Sequence, residues 1–362
     1  MNINDLLQQA MERGASDLHI TVGVPPTIRL DSLLISLTDM PLKPENTREL
    51  VKQILQEKTG FLEEKGEMDF SYSCPGMGRF RVNVFQQRGT IGMAIRIINK
   101  KVPPMSALGL PDIVTRLTLR SKGLILVAGP AGSGKTTTLA AMVNLINMER
   151  QCHIITLEDP IEYLHSHKKS IINQREIGSD SESFPTALRA ALRQDPDVIM
   201  VGEMKDPETI SLALTAAEMG HLVLASLHTL DAPQTINRII DVFPPTQQEQ
   251  LYVQLADTLV GIIAQRLLPR KDGQGRVAAV EFLAVTPVVR NLIREGKIHQ
   301  LYMTMQTGAK SGMRTMDNHL QHLYLQGLIK AEDAMENAAD RTSMSRFMNL
   351  TVARNSAEEP LF

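Results

Sequence analysis

The apolar run Leu124–Ala128 leads directly into Gly129-Pro-Ala-Gly-Ser-Gly-Lys-Thr136, and the residues from Thr136 to Asn147 then carry a helical pattern. This is G-x-x-x-x-G-K-[ST] set between a buried strand and a helix, the context in which that spacing binds phosphate. The chemistry explains the spacing. Glycines let successive backbone N–H groups converge on a β-phosphate with no side chain between them. The helix that follows turns its positive end toward the same anion. Lys135 is placed to bridge β- and γ-oxygens, and the Thr136 hydroxyl to ligate Mg²⁺. The expected nucleotide contacts are Gly129, Pro130, Ala131, Gly132, Ser133, Gly134, Lys135, Thr136 and Thr137.

Apolar strands alternating with helices continue beyond the loop, at Ile154–Leu157, Val198–Val201 and Leu222–Leu227. Such a succession predicts a parallel sheet covered on both faces. Asp206-Pro207-Glu208 marks a helix start and Gly220 its stop. The stretch Thr246–Leu268 and the last 70 residues read as helical.

The first hundred residues differ. After a short helix ending at Gly14, strands are predicted at Leu18–Val22, Thr27–Leu30 and Leu33–Leu37, with a turn at Asp31-Ser32. A helix from about Glu45 to Glu57 and two arginine-bearing strands, Arg79–Gln86 and Gly92–Ile98, complete a small α+β domain. The expected organisation of the 362 residues is a first domain over 1–99, a Pro-stiffened linker over 100–112 and a second domain over 113–362.

ATP hydrolysis also needs carboxylates for water and metal. In doubly wound sheets the ligand lies beyond the carboxyl ends of the strands. Two strands here end on acids: one runs into Glu158, Asp159 and Glu162, the other into Glu203. Asp159 and Glu162 flank Pro160 and are equally at home in a plain turn. Glu158 and Glu203 are the metal candidates with Thr136, Glu203 acting through a metal-bound water. His228 sits at the carboxyl end of Leu222–Leu227, where it can sense a γ-phosphate; His221 sits at the other end.

An arginine supplied by a neighbouring subunit accelerates such hydrolysis by about 10³–10⁵. No arginine flanks the loop. Arg81 and Arg96, fifteen residues apart on successive strands, can share one sheet face across a hairpin. Arg79 and Arg88 read as solvated strand residues, while Arg189 and Arg193, four apart on one helix face, are further candidates that serve equally as plain salt-bridge partners.

Composition removes several other classes. With 38 basic and 40 acidic residues and no block of like charge, nothing supports sequence-independent nucleic-acid binding. No apolar stretch reaches the ~18 residues of a membrane span, and the N-terminus has no secretory pattern. A cytoplasmic protein without direct membrane insertion is expected. Cys74 and Cys152 are too far apart in sequence for a C-x-x-C metal or redox motif.

Taken together, these segments resemble the secretion ATPase superfamily, in particular the type IV pilus retraction (PilT) family. Gly14–His19, Gly78–Asn83, the loop, Ile155–Glu162, Val198–Glu203 and Gly220–Thr229 carry the resemblance. It implies a PAS-like N-terminal domain followed by a RecA-like P-loop domain, assembled as a homohexamer that hydrolyses ATP with Mg²⁺ to power pilus retraction in twitching motility. Glu162 and Glu203 are then the catalytic and metal-organising acids, and Arg81 and Arg96 act in trans. Pro287–Glu295 resembles the family's retraction signature, with Val288-Val289 where Ala-Ile is usual. The implied partners are a platform protein at the inner face of the cytoplasmic membrane and a paralogous retraction ATPase. Rival readings are an accessory (PilU-like) motor, a pilus assembly or type II secretion ATPase, a small-molecule kinase and a DNA translocase.

Overall fold

Alternating apolar and polar residues build the first sheet. On the strand Gly78–Gln87, Phe80, Val82 and Val84 are buried while Arg81 and Asn83 point the other way. The computed structural model describes residues 1–30, 33–55, 66–74, 76–98 and 101–358. It divides into one unit of Met1–Lys101 with Ile161–Leu164, and a second of Val102–Pro160 with His165–Phe362.

The first unit holds six strands: β1 Asp17–Ile20, β2 Thr27–Leu30, β3 Leu33–Ser36, β4 Glu67–Cys74, β5 Gly78–Gln87 and β6 Thr90–Ile97. They pair antiparallel in the order β3-β2-β1-β6-β5-β4. Helices Ile3–Glu12 and Pro44–Leu55 contribute Ile3, Leu7, Leu50 and Val51 to the same core as Leu18, Ile28 and Ile95. The two residues between β5 and β6, Arg88 and Gly89, both have positive φ, the geometry of a tight two-residue hairpin. That turn sets the register, so Arg81 faces Arg96 directly. Strand β4 escaped the sequence reading, although Met68, Phe70, Tyr72 and Cys74 alternate as a strand should. The predicted turn at Asp31-Ser32, the helix beyond Leu55 and Lys100 of the predicted linker lie outside the described residues.

The second unit holds β7 Gly123–Ala128, β8 His153–Glu158, β9 Ile171–Glu176, β10 Val198–Val201, β11 Leu222–Leu227, β12 Leu259–Pro269 and β13 Arg276–Ala284. Their order is β13-β12-β7-β11-β10-β8-β9. All neighbours are parallel except β12 and β13. Every residue of β7, β10 and β11 is buried, which explains their continuous apolar runs. Met105, within the stretch read as a linker, belongs to this unit's core.

One expectation is corrected. Thr246–Leu268 is not one helix: Pro245–Thr258 is helical, but the chain then becomes β12. Its run Leu-Val-Gly-Ile-Ile-Ala has no polar face for a surface helix to show, and it pairs with the central strand β7 instead. Helices recur from Pro287–Arg294 onward, and in the later ones Met316, Leu320, Leu323, Met344 and Met348 form a separate small core with Leu268 and Ala279.

Candidate active site

Because β7, β11, β10 and β8 are consecutive parallel neighbours, the segments that follow them emerge along one edge of the sheet. The loop Gly129–Gly134 leaves β7, His228 leaves β11, Glu203 lies just past β10, and Glu158 ends β8. Backbone bonds tie the row together: Gly129 N–H donates to Leu227 O, Met204 N–H to Ser226 O, and Gly202 N–H to Leu157 O. The Ser226 hydroxyl donates to Gly202 O at 2.5 Å.

Within the loop, Gly132 and Gly134 adopt left-handed φ of 74° and 91°, which side chains resist. Gly129 is constrained by contact: a Cβ there would lie 2.4 Å from both Gln265 O and Ser133 Oγ. Gly134 is also the N-cap of the helix Lys135–Glu149, and no side chain caps that end. A helix start without a side-chain cap suits an anion. The Ser133 hydroxyl is buried with no hydrogen-bond partner among the described residues, a donor that a phosphate oxygen would satisfy. Lys135 is buried, its Nζ donating to Gly129 O (2.8 Å) and Pro130 O (3.0 Å) at the centre of the loop. These features fit a polyphosphate.

From Lys135 the polar groups continue along the strand ends. Lys135 Nζ lies 3.5 Å from His228 Nδ1, and His228 Nε2 lies 3.4 Å from Glu203 Oε1. Lys205 Nζ is 4.0 Å from Glu203 Oε2. Glu158, only 4% exposed, accepts from Thr156 Oγ1 (2.6 Å) and Gln174 Nε2 (3.0 Å). The described residues contain no cluster of three acids, histidines or cysteines able to cage a metal by themselves. Oxygen donors such as the Thr136 hydroxyl and the Glu158 and Glu203 carboxylates are of the kind Mg²⁺ takes, and that ion keeps most of its ligands as water and phosphate oxygens.

A cavity of about 420 Å³ adjoins the loop, bounded by Leu108, Gly109, Thr137, Leu267, Arg270 and Arg276. Its apolar walls and two arginines suit a base and ribose.

In the first unit, Arg29, Asp17, Arg96 and Arg81 form one cross-strand row on β2, β1, β6 and β5. Asp17 pairs with Arg96 at 3.0 Å. Burial pushes the Asp17 carboxyl up, but hydrogen bonds from Ser16 and Arg96 outweigh it and hold it below its ordinary value. Opposed like charges weaken a sheet, so the facing of Arg81 and Arg96, unlike the Asp17–Arg96 pair, is not explained by folding stability. Glu162 is exposed and groups with this unit, just past the cis bond Asp159–Pro160. Arg189, by contrast, is paired with Glu208.

Residues 1–341 match the family of type II/IV secretion system proteins. The chain belongs to this family. Among its members, the type IV pilus retraction ATPase PilT of Pseudomonas aeruginosa is 47% identical over 93% of this chain and 98% of its own length. The type IV pilus ATPase PilU of the same organism is 43% identical over 97% of this chain and 92% of its own. The crystal structure of a pilus retraction motor PilT with bound ADP superposes with a TM-score of 0.88 at 52% identity, covering 96% of this chain and 99% of that one. This member of the secretion family accordingly has the expected α/β class, a PAS-like α+β domain followed by a RecA-like P-loop domain.

Sequence reading missed the residue that fastens the loop of this family member to its sheet. Gln265, on β12 and 3% exposed, donates from Nε2 to Ser133 O (2.7 Å) and accepts at Oε1 from Thr138 Oγ1 (2.9 Å). One side chain thus spans the loop and the first turn of its helix. The available signal was a polar amide inside an otherwise apolar run, since a buried amide is retained only where it is bonded. Gln174 and Thr156, which hold Glu158, carried no comparable signal.

Proposed function

We propose that this protein is a ring-forming ATPase that powers type IV pilus retraction. The observation that carries the reading is the loop–His228–Glu203 row on adjacent strand ends, in a chain similar along nearly its whole length to a pilus retraction ATPase. In this proposal the loop amides, Ser133 Oγ and Lys135 grip the β- and γ-phosphates, while Thr137 and the cavity beside it receive the nucleoside. Thr136, Glu158 and Glu203 would hold Mg²⁺ and its waters, and the chemistry such an ion supplies is neutralisation of charge that develops on the phosphate oxygens. His228 links Glu203 to Lys135, so a change at the γ-phosphate reaches Glu203. Glu162 takes a proton from the attacking water as the water oxygen bonds to γ-phosphorus and the bond from γ-phosphorus to the β–γ bridging oxygen breaks, releasing ADP and phosphate. Arg81 and Arg96 serve a neighbouring subunit's nucleotide in a homohexamer, seated on a platform protein at the cytoplasmic face of the membrane. No described helix is long and apolar enough to cross a membrane.

Mixing inactive subunits tests this reading. Lys135→Ala and Arg81→Ala proteins are each expected to be inactive, and their mixture to regain part of the ATPase activity, because some sites then combine an intact loop with an intact arginine. Mixed rings, verified by co-purification, that stay as inactive as both parents would exclude the shared site. The similarity to PilU supports a second reading, an accessory motor. Expressing this chain alone in a strain lacking its retraction ATPases separates the two: the principal motor restores twitching by itself, the accessory one does not.

A further inference from the structure

A second cavity, about 640 Å³, opens at the end of the parallel sheet where β7, β11 and β12 begin. The length of β7 separates it from the phosphate loop by about 20 Å. It is bounded by Arg120, Lys122 and Arg290, together with Glu218 and Asp257.

The charges in this cavity are unequally engaged. Asp257 accepts from Arg294 at 2.7 Å, and Glu218 accepts from Gln254 at 3.2 Å. Arg120, Lys122 and Arg290 have no ion pair among the described residues. The Nε–H of Arg290 is buried without an acceptor among those residues, so its desolvation is uncompensated. A further cation, Arg150, is drawn in by donating to Arg120 O at 2.7 Å. Three unpaired cations around one concavity, one with an orphaned donor, are an incomplete electrostatic arrangement that an anion completes.

The size of the cavity selects among anions. A single carboxylate side chain would leave most of it to water, whereas its volume lies within the roughly 300–1,000 Å³ of small-molecule sites. Guanidinium forks match phosphate oxygens bidentately, and Lys122 adds a point charge. We propose that this cavity is a second anion site, which takes a small phosphorylated molecule of about nucleotide size through Arg120, Lys122 and Arg290.

Pyrophosphate is the probe, titrated calorimetrically into full-length protein whose loop is already saturated with ADP and Mg²⁺. One binding event per chain is expected. Lys122→Gln and Arg290→Gln are each expected to weaken it about tenfold or more, as loss of a charge-assisted bond requires. Lys122 is exposed, so its variant keeps the test valid even if Arg290→Gln folds poorly. The same titration on Lys135→Ala protein without ADP is expected to retain this event; its loss would place the anion on the loop and overturn the proposal. Three further results also overturn it: no heat at millimolar pyrophosphate, affinity unchanged in Lys122→Gln, or binding of an acidic peptide but not of pyrophosphate. If the cations only offset the carbonyl ends of the helices Pro207–Glu218 and Pro245–Thr258, their removal lowers the melting temperature and no anion binds to any of the proteins.

Discussion

Replacing Gln265 by leucine keeps much of the side-chain volume and removes its bonds to the phosphate loop and to the helix that follows it. Two buried partners, Ser133 O and Thr138 Oγ1, would then lack a mate, at a cost of about 1–3 kcal/mol each. If about half of that cost, about 1–3 kcal/mol, falls on the conformation that receives phosphate, ADP binding weakens about fivefold or more, since about 1.4 kcal/mol is one decade. Gln265→Glu is the sharper perturbation. It preserves an acceptor for Thr138 but sets a carboxylate oxygen against the Ser133 carbonyl, close to where phosphate charge collects. Its ADP affinity is expected to fall below that of Gln265→Leu. Titration calorimetry with ADP, run beside thermal melts of all three proteins, decides the matter. A lowered melting temperature with ADP affinity within about twofold of the wild type would refute the reasoning and reduce Gln265 to core glue.

Glu281, 2% exposed on β13, accepts from Ala232 N at the start of one helix and Met316 N at the start of another. Burial pushes its carboxyl up to about 7, against the lowering effect of the Ala232 bond. A raised native value means its contribution to stability is complete below about pH 4.5 and is lost as pH rises through 7. Glu281→Gln imitates the protonated form, so relative to wild type it should gain up to about 3 kcal/mol between pH 5 and pH 8 in urea unfolding; parallel profiles would discard this. Gly202→Ala would set a Cβ 3.1 Å from Leu157 O and 3.4 Å from the Glu158 Cα, both backbone atoms. Prying β10 from β8 costs about 1–3 kcal/mol and displaces Glu158 and Glu203, so kcat should fall more than ADP affinity. An unchanged kcat would show that this contact does not set the acids.

Local signals explain how much of the molecule could be read in advance. The loop was legible because glycine spacing, lysine and threonine all answer to one ligand, and the flanking strand and helix confirmed the context. That Arg81 and Arg96 share a sheet face was legible from their spacing across a hairpin, whereas their direct facing depends on the two-residue turn at Arg88-Gly89 that only the structure shows. Strand β12 was misread because a run buried on both faces has no period, and periodicity separates strand from helix only when one face is wet. Strand β9 was missed for a related reason: Asn173, Gln174 and Arg175 on an edge strand look like loop.

The chemistry that the chain can perform is therefore written locally: a phosphate loop, acids at strand ends, and arginines on a hairpin each follow from residues near one another in sequence. Which of those groups meet depends on strand order, and strand order comes from packing between segments a hundred residues apart. Only when β11 lies between β7 and β10 does His228 come to stand between Lys135 and Glu203. Likewise, only the pairing of β12 with β7 brings Gln265 beneath the loop, because a buried amide 127 residues from Thr138 leaves no trace in local pattern.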